Sequence, residues 1–287
     1  MTANLSKELA ADLHCHTKLS DGSVGIDDLV LLAQKAKLPV IAVTDHDTFA
    51  GATRAAVFGS RHGVEVLLGA EISTIDGKRG RKAHILCYGC SNPNRLEGLL
   101  KKTGESRKKA ANLMLKKVMR LYPISPEMVA HRAQGSTNIY KQHIMHALMD
   151  AGYTDSLFGD MFHHLFDPQT GVAYAPVEYP EVREVIGMIH DAGGVAVLAH
   201  PAVYDSYDLL SELVEYGLDG VEVWHPRNRE GDEERLSAFA KQHQLLTTGG
   251  SDFHGMYTLH PHPIGTCTAP LSQVEEIKQR SALYQKK

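Results

Sequence analysis

The stretch ADLHCHTKLSDG, Ala11–Gly22, closes a short apolar run with two histidines one residue apart, then an Asp-Gly pair. If the run is a strand, His14 and His16 emerge on one face and Cys15 on the other. Two imidazoles on one face can converge on a single divalent cation, and neutral histidine suits zinc, iron or manganese. A lone His-x-His carries little weight, because a pair of packed core histidines reads the same way. Its meaning depends on the residues that close the other apolar runs of the chain.

Those runs are VIAV at 40–43, VEVLLG at 64–69, AHILCYG at 83–89, VAVLAH at 195–200, GVEVW at 220–224 and LLTTGG at 245–250. Helical periodicity separates many of them, at about 27–37, 50–62, 181–192, 206–216 and 230–243. Such alternation predicts parallel strands with crossover helices. Polar residues collect just past the strands: Asp45, His46 and Asp47, then Glu71, His200, His225, and Ser251-Asp252-Phe253-His254. Carboxyl ends of strands carry the site in α/β folds, and one pocket fed by many strand ends favours a barrel. Residues 98–175 break the rhythm with helical segments and no convincing strand. The expected organisation is therefore a discontinuous α/β barrel, 1–97 and 176–287, interrupted by an α-helical insertion at 98–175.

Composition sets the outer bounds. The chain has 287 residues, 43% hydrophobic and 22% charged, enough for a substantial core in an ordinary globular protein. A net charge of -4 argues against nucleic-acid binding by the surface as a whole, and no stable nucleic-acid partner is expected. No apolar run reaches membrane-span length and the N-terminus lacks a hydrophobic signal region, so a cytoplasmic location is expected. Four cysteines form no disulfide framework, and Cys87 and Cys90 read as apolar packing. Seventeen histidines are the departure, and many of them flank the apolar runs.

Taken together, DLHCHTKLSDGS, VIAVTDHDT, LLGAEIS, HILCYG, VAVLAHP, GVEVWHP and GGSDFHG resemble the PHP (polymerase and histidinol phosphatase) domains, metal-dependent phosphoesterases. Within that family the chain looks most like the stand-alone members with a helical insertion that act on nucleotide-like phosphates. The resemblance implies a distorted seven-stranded β/α barrel with three divalent metals, manganese, iron or zinc. By motif, one metal takes His14, His16, Glu71 and Asp252. A second shares Glu71 and adds His84 and His143, and a third takes Asp21, His46 and His254. Asp252, His254 and His200 are the expected catalytic groups, and His225 is expected just behind the ligands. Such metals lower the pKa of bound water to supply hydroxide and clamp the phosphoryl oxygens.

Substrate phosphates also need cationic anchors. Arg107 falls on the apolar stripe of a helix over 99–120, with Leu100, Ala111, Met114 and Val118. A buried arginine needs a partner, and a substrate phosphate is the expected one. Related stand-alone members typically read Gly-Arg-Pro-His where this chain has Tyr140-Lys141-Gln142-His143, which makes Lys141 a candidate without arginine's fork geometry. His200 and Arg227 complete the expected substrate contacts. The leading expectation is release of phosphate from a nucleoside 3',5'-bisphosphate. The alternatives are a phosphodiesterase for a cyclic sugar phosphate or the 5' end of an oligonucleotide, and, from a different class, a non-catalytic metal-stabilised module. The sequence leaves the oligomeric state open.

Overall fold

The first three strands keep the expected alternation. In the computed structural model, which describes residues 10–286, β1 (Ala10–Cys15), β2 (Val40–Val43) and β3 (Glu65–Asp76) run parallel. They are linked by α1 (Ile26–Lys35) and α2 (Ala52–Arg61). Ile26, Leu29, Val30 and Ala33 of α1 lie at helical spacing and are buried against the outside of the sheet, where Ile41, Val43 and Cys15 meet them. Cys15 thus packs outward, between two histidines that face the other way.

β4 departs from the alternation. β3 is twice the expected length and folds back as a hairpin onto β4 (Arg81–Tyr88), antiparallel from Gly69 opposite Tyr88 to Asp76 opposite Arg81. The turn between them, Gly77-Lys78-Arg79-Gly80, supplies the tight reversal that a helical crossover provides elsewhere. The chain then runs through α3 (Glu97–Met119), α4 (Pro126–Arg132), α5 (Lys141–Asp150) and α6 (Asp160–Phe166). These helices bury a core of their own, including Met114, Val118, Ile144, Met145, Leu148 and Phe166. Tyr257 from the loop after the last long strand packs into that core.

Beyond it come α7 (Val182–Asp191), β5 (Val195–Leu198), α8 (Leu210–Glu215), β6 (Gly220–Trp224), α9 (Asp232–His243) and β7 (Leu246–Gly249). β5 pairs antiparallel with β4 and parallel with β6, which pairs parallel with β7. The sheet order is β7-β6-β5-β4-β3-β2-β1-β8, so it has eight strands where seven were expected. The added one, β8 (Ala269–Pro270), is two residues beside β1, too short and proline-bound to leave a periodic signal. α10 (Leu271–Tyr284) is a further addition to the expected elements, and its Val274 and Ile277 plug the amino end of the barrel interior.

Closure comes from the residues just after β7. Phe253 donates its N–H to the His14 carbonyl at 3.3 Å, and His16 donates to the Phe253 carbonyl at 2.9 Å. Buried Asp12 accepts from the Ser251 N–H at 2.9 Å, the Ser251 hydroxyl at 2.6 Å and the Gly265 N–H at 2.7 Å. A side-chain carbon at Gly250 would sit 2.4 Å from the His14 nitrogen, so only glycine lets the two ends of the sheet meet. The seam thereby brings Asp252 and His254 beside His14 and His16, some 240 residues earlier. No helix among the described residues is long and apolar enough to cross a membrane.

Candidate metal centre

The carboxyl ends of the parallel strands, and the amino half of antiparallel β4, converge on Glu71. Its Oε1 lies 2.7 Å from His84 Nδ1 and 2.8 Å from His200 Nε2. Its Oε2 lies 3.2 Å from His46 Nδ1, 3.3 Å from His16 Nε2 and 3.4 Å from His14 Nε2. Asp252 Oδ1 sits 3.3 Å from His16 Nε2 and 3.5 Å from His14 Nε2. On the other flank, Asp21 Oδ1 lies 3.3 Å from His254 Nε2 and 3.5 Å from His16 Nδ1, and its Oδ2 is 3.8 Å from His46 Nε2. Strands β1, β2, β3, β4, β5 and β7, with the loop after β1, thus aim imidazoles and carboxylates at one volume.

Among the described residues, four overlapping sets have the spacing to hold a cation: His16, Asp21, His46 and His254; His14, His16 and Asp252; His14, Glu71 and His200; and His46, Glu71 and His84. The structure therefore groups eight of the nine expected ligands, and His200 with them. The ninth, His143, belongs to none of these sets. It occupies the first turn of α5, where its Nδ1 accepts the Tyr140 N–H at 3.1 Å. Its ring is buried between Tyr140 and Tyr257, which disfavours charging it and lowers its pKa to about 4.

The electrostatics call for cations. Burial by itself pushes the Glu71 carboxyl up, yet His46, His84 and His14 outweigh this and hold it well below the carboxylate range. Asp21 and Asp252 are held down against burial in the same manner, chiefly by His254. Burial opposes charging His16, but Asp252 and Glu71 raise it to about 10. His14 Nε2, both ring nitrogens of His16 and His200 Nδ1 are buried with no hydrogen-bond partner. Buried polar atoms are normally satisfied, and a cation held among these nitrogens would satisfy them. The mixed imidazole and carboxylate set fits manganese, iron or zinc.

Backbone strain sits at the same place. Asp47, His200 and Asp252 have positive φ of 55°, 29° and 48°, a region non-glycine residues enter at a cost. Each comes shortly after a strand and turns its side chain toward the centre or its supports. His225 stands behind Asp252, 3.3 Å from its Oδ2.

The expected substrate contacts divide. His200 and Arg227 line a cavity of about 620 Å³ that opens on the cluster, together with Phe158, Phe162, Leu259, His260 and His262. His260 and His262 carry no sequence signal of their own, because their loop closes no apolar run and holds no motif. Arg107 is buried as expected, but its partner is Asp47: Nη2 donates to Oδ2 at 2.5 Å and to Ser73 Oγ at 3.0 Å. Tyr140 and Tyr179 lie over its guanidinium, at 4.9 and 5.8 Å. Lys141 donates to the Phe166 carbonyl at 3.2 Å among Phe162, Phe166 and Tyr174, and neither cation lines the cavity.

Known proteins share this architecture. A structure assigned as a metal-dependent phosphoesterase from Bifidobacterium adolescentis superposes with a TM-score of 0.85 at 32% identity, covering 94% of this chain and 96% of that one. The phosphoribosyl 1,2-cyclic phosphate 1,2-diphosphodiesterase of Eggerthella lenta is 37% identical over 88% of this chain and 96% of its own. The 5'-3' exoribonuclease Rnm of Escherichia coli is 33% identical over 85% of this chain and 84% of its own. The 3',5'-nucleoside bisphosphate phosphatase of Chromobacterium violaceum is 28% identical over 85% and 86%. Residues 12–215 match the PHP domain model. The chain belongs to the PHP domain family.

Proposed function

We propose that the protein is a metal-dependent phosphoesterase whose substrate is a pentose carrying two phosphate groups. The observation that carries this reading is the buried cluster around Glu71, with four imidazole nitrogens left unpartnered beside ionised carboxylates. His14, His16, Asp21, His46, Glu71, His84, His200, Asp252 and His254 would hold divalent ions, three by family resemblance and manganese, iron or zinc by donor type. When bound, such ions supply Lewis acidity toward a phosphoryl group and make water more acidic.

The chain's own residues do the rest. Glu71 presents one oxygen to His84 and His200 and the other to His14, His16 and His46, fixing the relative placement of five rings. His254 faces both Asp21 and Asp252 at the cavity edge, and its Nδ1 lies 2.8 Å from the Asp252 carbonyl, which orients the ring with its other nitrogen toward the Asp21 side of the cluster. Arg227 supplies positive charge for a second phosphate, and His260 and His262, lining the same cavity, add imidazole groups that can hydrogen-bond to it. Phe158, Phe162 and Leu259 offer an apolar wall that suits a base, which favours a nucleoside 3',5'-bisphosphate. The helical segment 98–175 acts in this reading as a lid that limits the site to small substrates.

A cyclic ribose phosphate is the second reading, supported by the 37% identity to the Eggerthella lenta enzyme. Both molecules carry two phosphates on a five-carbon sugar. The test is a panel assayed with manganese: a nucleoside 3',5'-bisphosphate, a phosphoribosyl 1,2-cyclic phosphate and a 5'-phosphorylated oligoribonucleotide. The highest kcat/KM is expected on the bisphosphate. Preference for the oligonucleotide would show that the cavity admits a continuing chain, and no turnover of any of the three would remove the reading.

A further inference from the structure

Glu222 is a fully buried carboxylate in the middle of β6. No lysine or arginine pairs with it among the described residues. Its Oε1 lies 2.9 Å from His14 Nδ1, and its Oε2 accepts the backbone N–H of His200 at 2.8 Å. A carboxylate only accepts hydrogen bonds, so the His14 ring must carry its proton on Nδ1. In the neutral ring Nε2 is then the nitrogen left to ligate, and it faces Glu71 Oε2 at 3.4 Å and Asp252 Oδ1 at 3.5 Å. Those two carboxylates favour positive charge at that edge of the ring, which a bound cation supplies with Nε2 as its ligand and a proton supplies without one. The second oxygen restrains His200, whose backbone holds a strained φ of 29° and whose Nε2 reaches Glu71 at 2.8 Å.

We propose that Glu222 is a positioning residue of the metal centre, fixing the tautomer of His14 and the strained backbone of His200 through its two oxygens. The inference rests on reading the cluster as a metal site. It assigns a purpose to a buried charge that is otherwise an expense to the fold, since an ionised carboxylate in a protein core is tolerated only when its hydrogen bonds are complete. Carboxylates behind metal-ligating histidines orient the ring and raise its basicity, and losing one typically weakens metal affinity 10- to 100-fold. Glutamine is nearly isosteric with glutamate but has one acceptor oxygen where the site uses two. In Glu222→Gln either the His14 ring or the His200 N–H therefore faces an amide NH2 and loses its acceptor.

The experiment titrates manganese into metal-stripped wild-type protein, Glu222→Gln, Glu222→Asp and Tyr88→Phe, reading Kd by calorimetry and fold by circular dichroism. Tyr88 is the structural control: it is fully buried and donates to the Leu13 carbonyl at 2.7 Å, one residue from His14, without touching the cluster. Expected is a Kd weakened about 10- to 100-fold in both Glu222 variants and unchanged in Tyr88→Phe, whatever stability that control loses. Glu222→Asp, shorter by one methylene but still charged, covers the case in which the glutamine variant does not fold. Wild-type affinity in either folded Glu222 variant would overturn the inference, as would equal weakening in Tyr88→Phe. Failure of the wild-type protein itself to bind manganese, iron or zinc would instead remove the metal reading on which it stands.

Discussion

The strand ends of the barrel and the helical segment α3–α6 beside them are both rich in charged and titratable side chains, yet they use them in opposite ways. At the strand ends the imidazoles of His14, His16 and His200 keep ring nitrogens with no partner, and the carboxylates of Glu71, Asp21 and Asp252 face one another's histidines. In and beside the helices the charged side chains and the His143 ring find partners within the protein, although Arg107 Nε and the Tyr140 hydroxyl are left without one. Arg107 is paired with Asp47, Lys141 with the Phe166 carbonyl, and His143 with the Tyr140 N–H. A cluster left open is poised for a ligand, whereas one satisfied internally holds a segment in place. The contrast assigns binding to the barrel and positioning to the helices, and each side of it is open to attack by mutation.

The largest effect is expected at the hub. Glu71→Gln removes the charge that touches five histidines while keeping the shape, and kcat/KM for phosphate release should fall roughly 10²- to 10³-fold or more. Activity within a few-fold of wild type would show that the barrel cluster is not the catalytic centre. Next comes Arg107→Ala, which strands the buried Asp47 carboxylate and should cost about 3–5 kcal/mol in denaturant unfolding. Its kcat/KM per folded molecule should stay within a few-fold. The reverse pattern, a hundredfold loss of kcat/KM at unchanged stability, would return Arg107 to the substrate and erase the contrast.

Lys141 offers a pH handle. Burial lowers its pKa from 10.5 to about 8, with Lys82 adding to the shift. The unfolded chain then binds more protons than the native one between about pH 8 and 10.5, so this residue makes stability rise with pH across that window. Lys141→Met should raise stability by about 1–3 kcal/mol at pH 7, with the advantage shrinking to near zero by pH 10.5. Thermal unfolding of the two proteins across that range checks it, and a pH-independent difference would contradict it. The smallest effect on metal binding belongs to His143→Ala, which removes a buried ring and one cap bond from α5 and should cost about 2–4 kcal/mol of stability. Its metal content should equal wild type; loss of one equivalent would make His143 a ligand, as family resemblance implies.

Much of the fold and of the cluster is legible in the chain alone, for identifiable reasons. Val40–Val43 and Val195–Leu198 are uninterrupted apolar runs because strands covered on both faces leave no polar side. His14, His46, Glu71, His200 and Asp252 stand out because each ends or closely succeeds such a run, and barrel topology gathers strand ends. The hidden part depends on contacts between distant positions. Asp47 and Arg107 lie 60 residues apart, so the need for a partner is visible in the sequence and its identity is not. Glu222 reads as a strand residue like any other until β1 and β6 face each other across the barrel. The β3–β4 hairpin escapes the periodicity because β3 runs on well past Gly69, its Asp76 ending in a glycine-flanked turn rather than a helix.

The central claim is that divalent cations held around Glu71 carry out phosphoester hydrolysis. The most direct measurement strips the protein with a chelator and monitors phosphate release from a nucleoside 3',5'-bisphosphate during manganese titration, with metal per chain counted by elemental analysis. Activity should vanish on stripping, return in step with bound metal, and plateau when the sites are full. Turnover that persists in metal-free protein, or that stays absent while metal binds stoichiometrically, would contradict the claim.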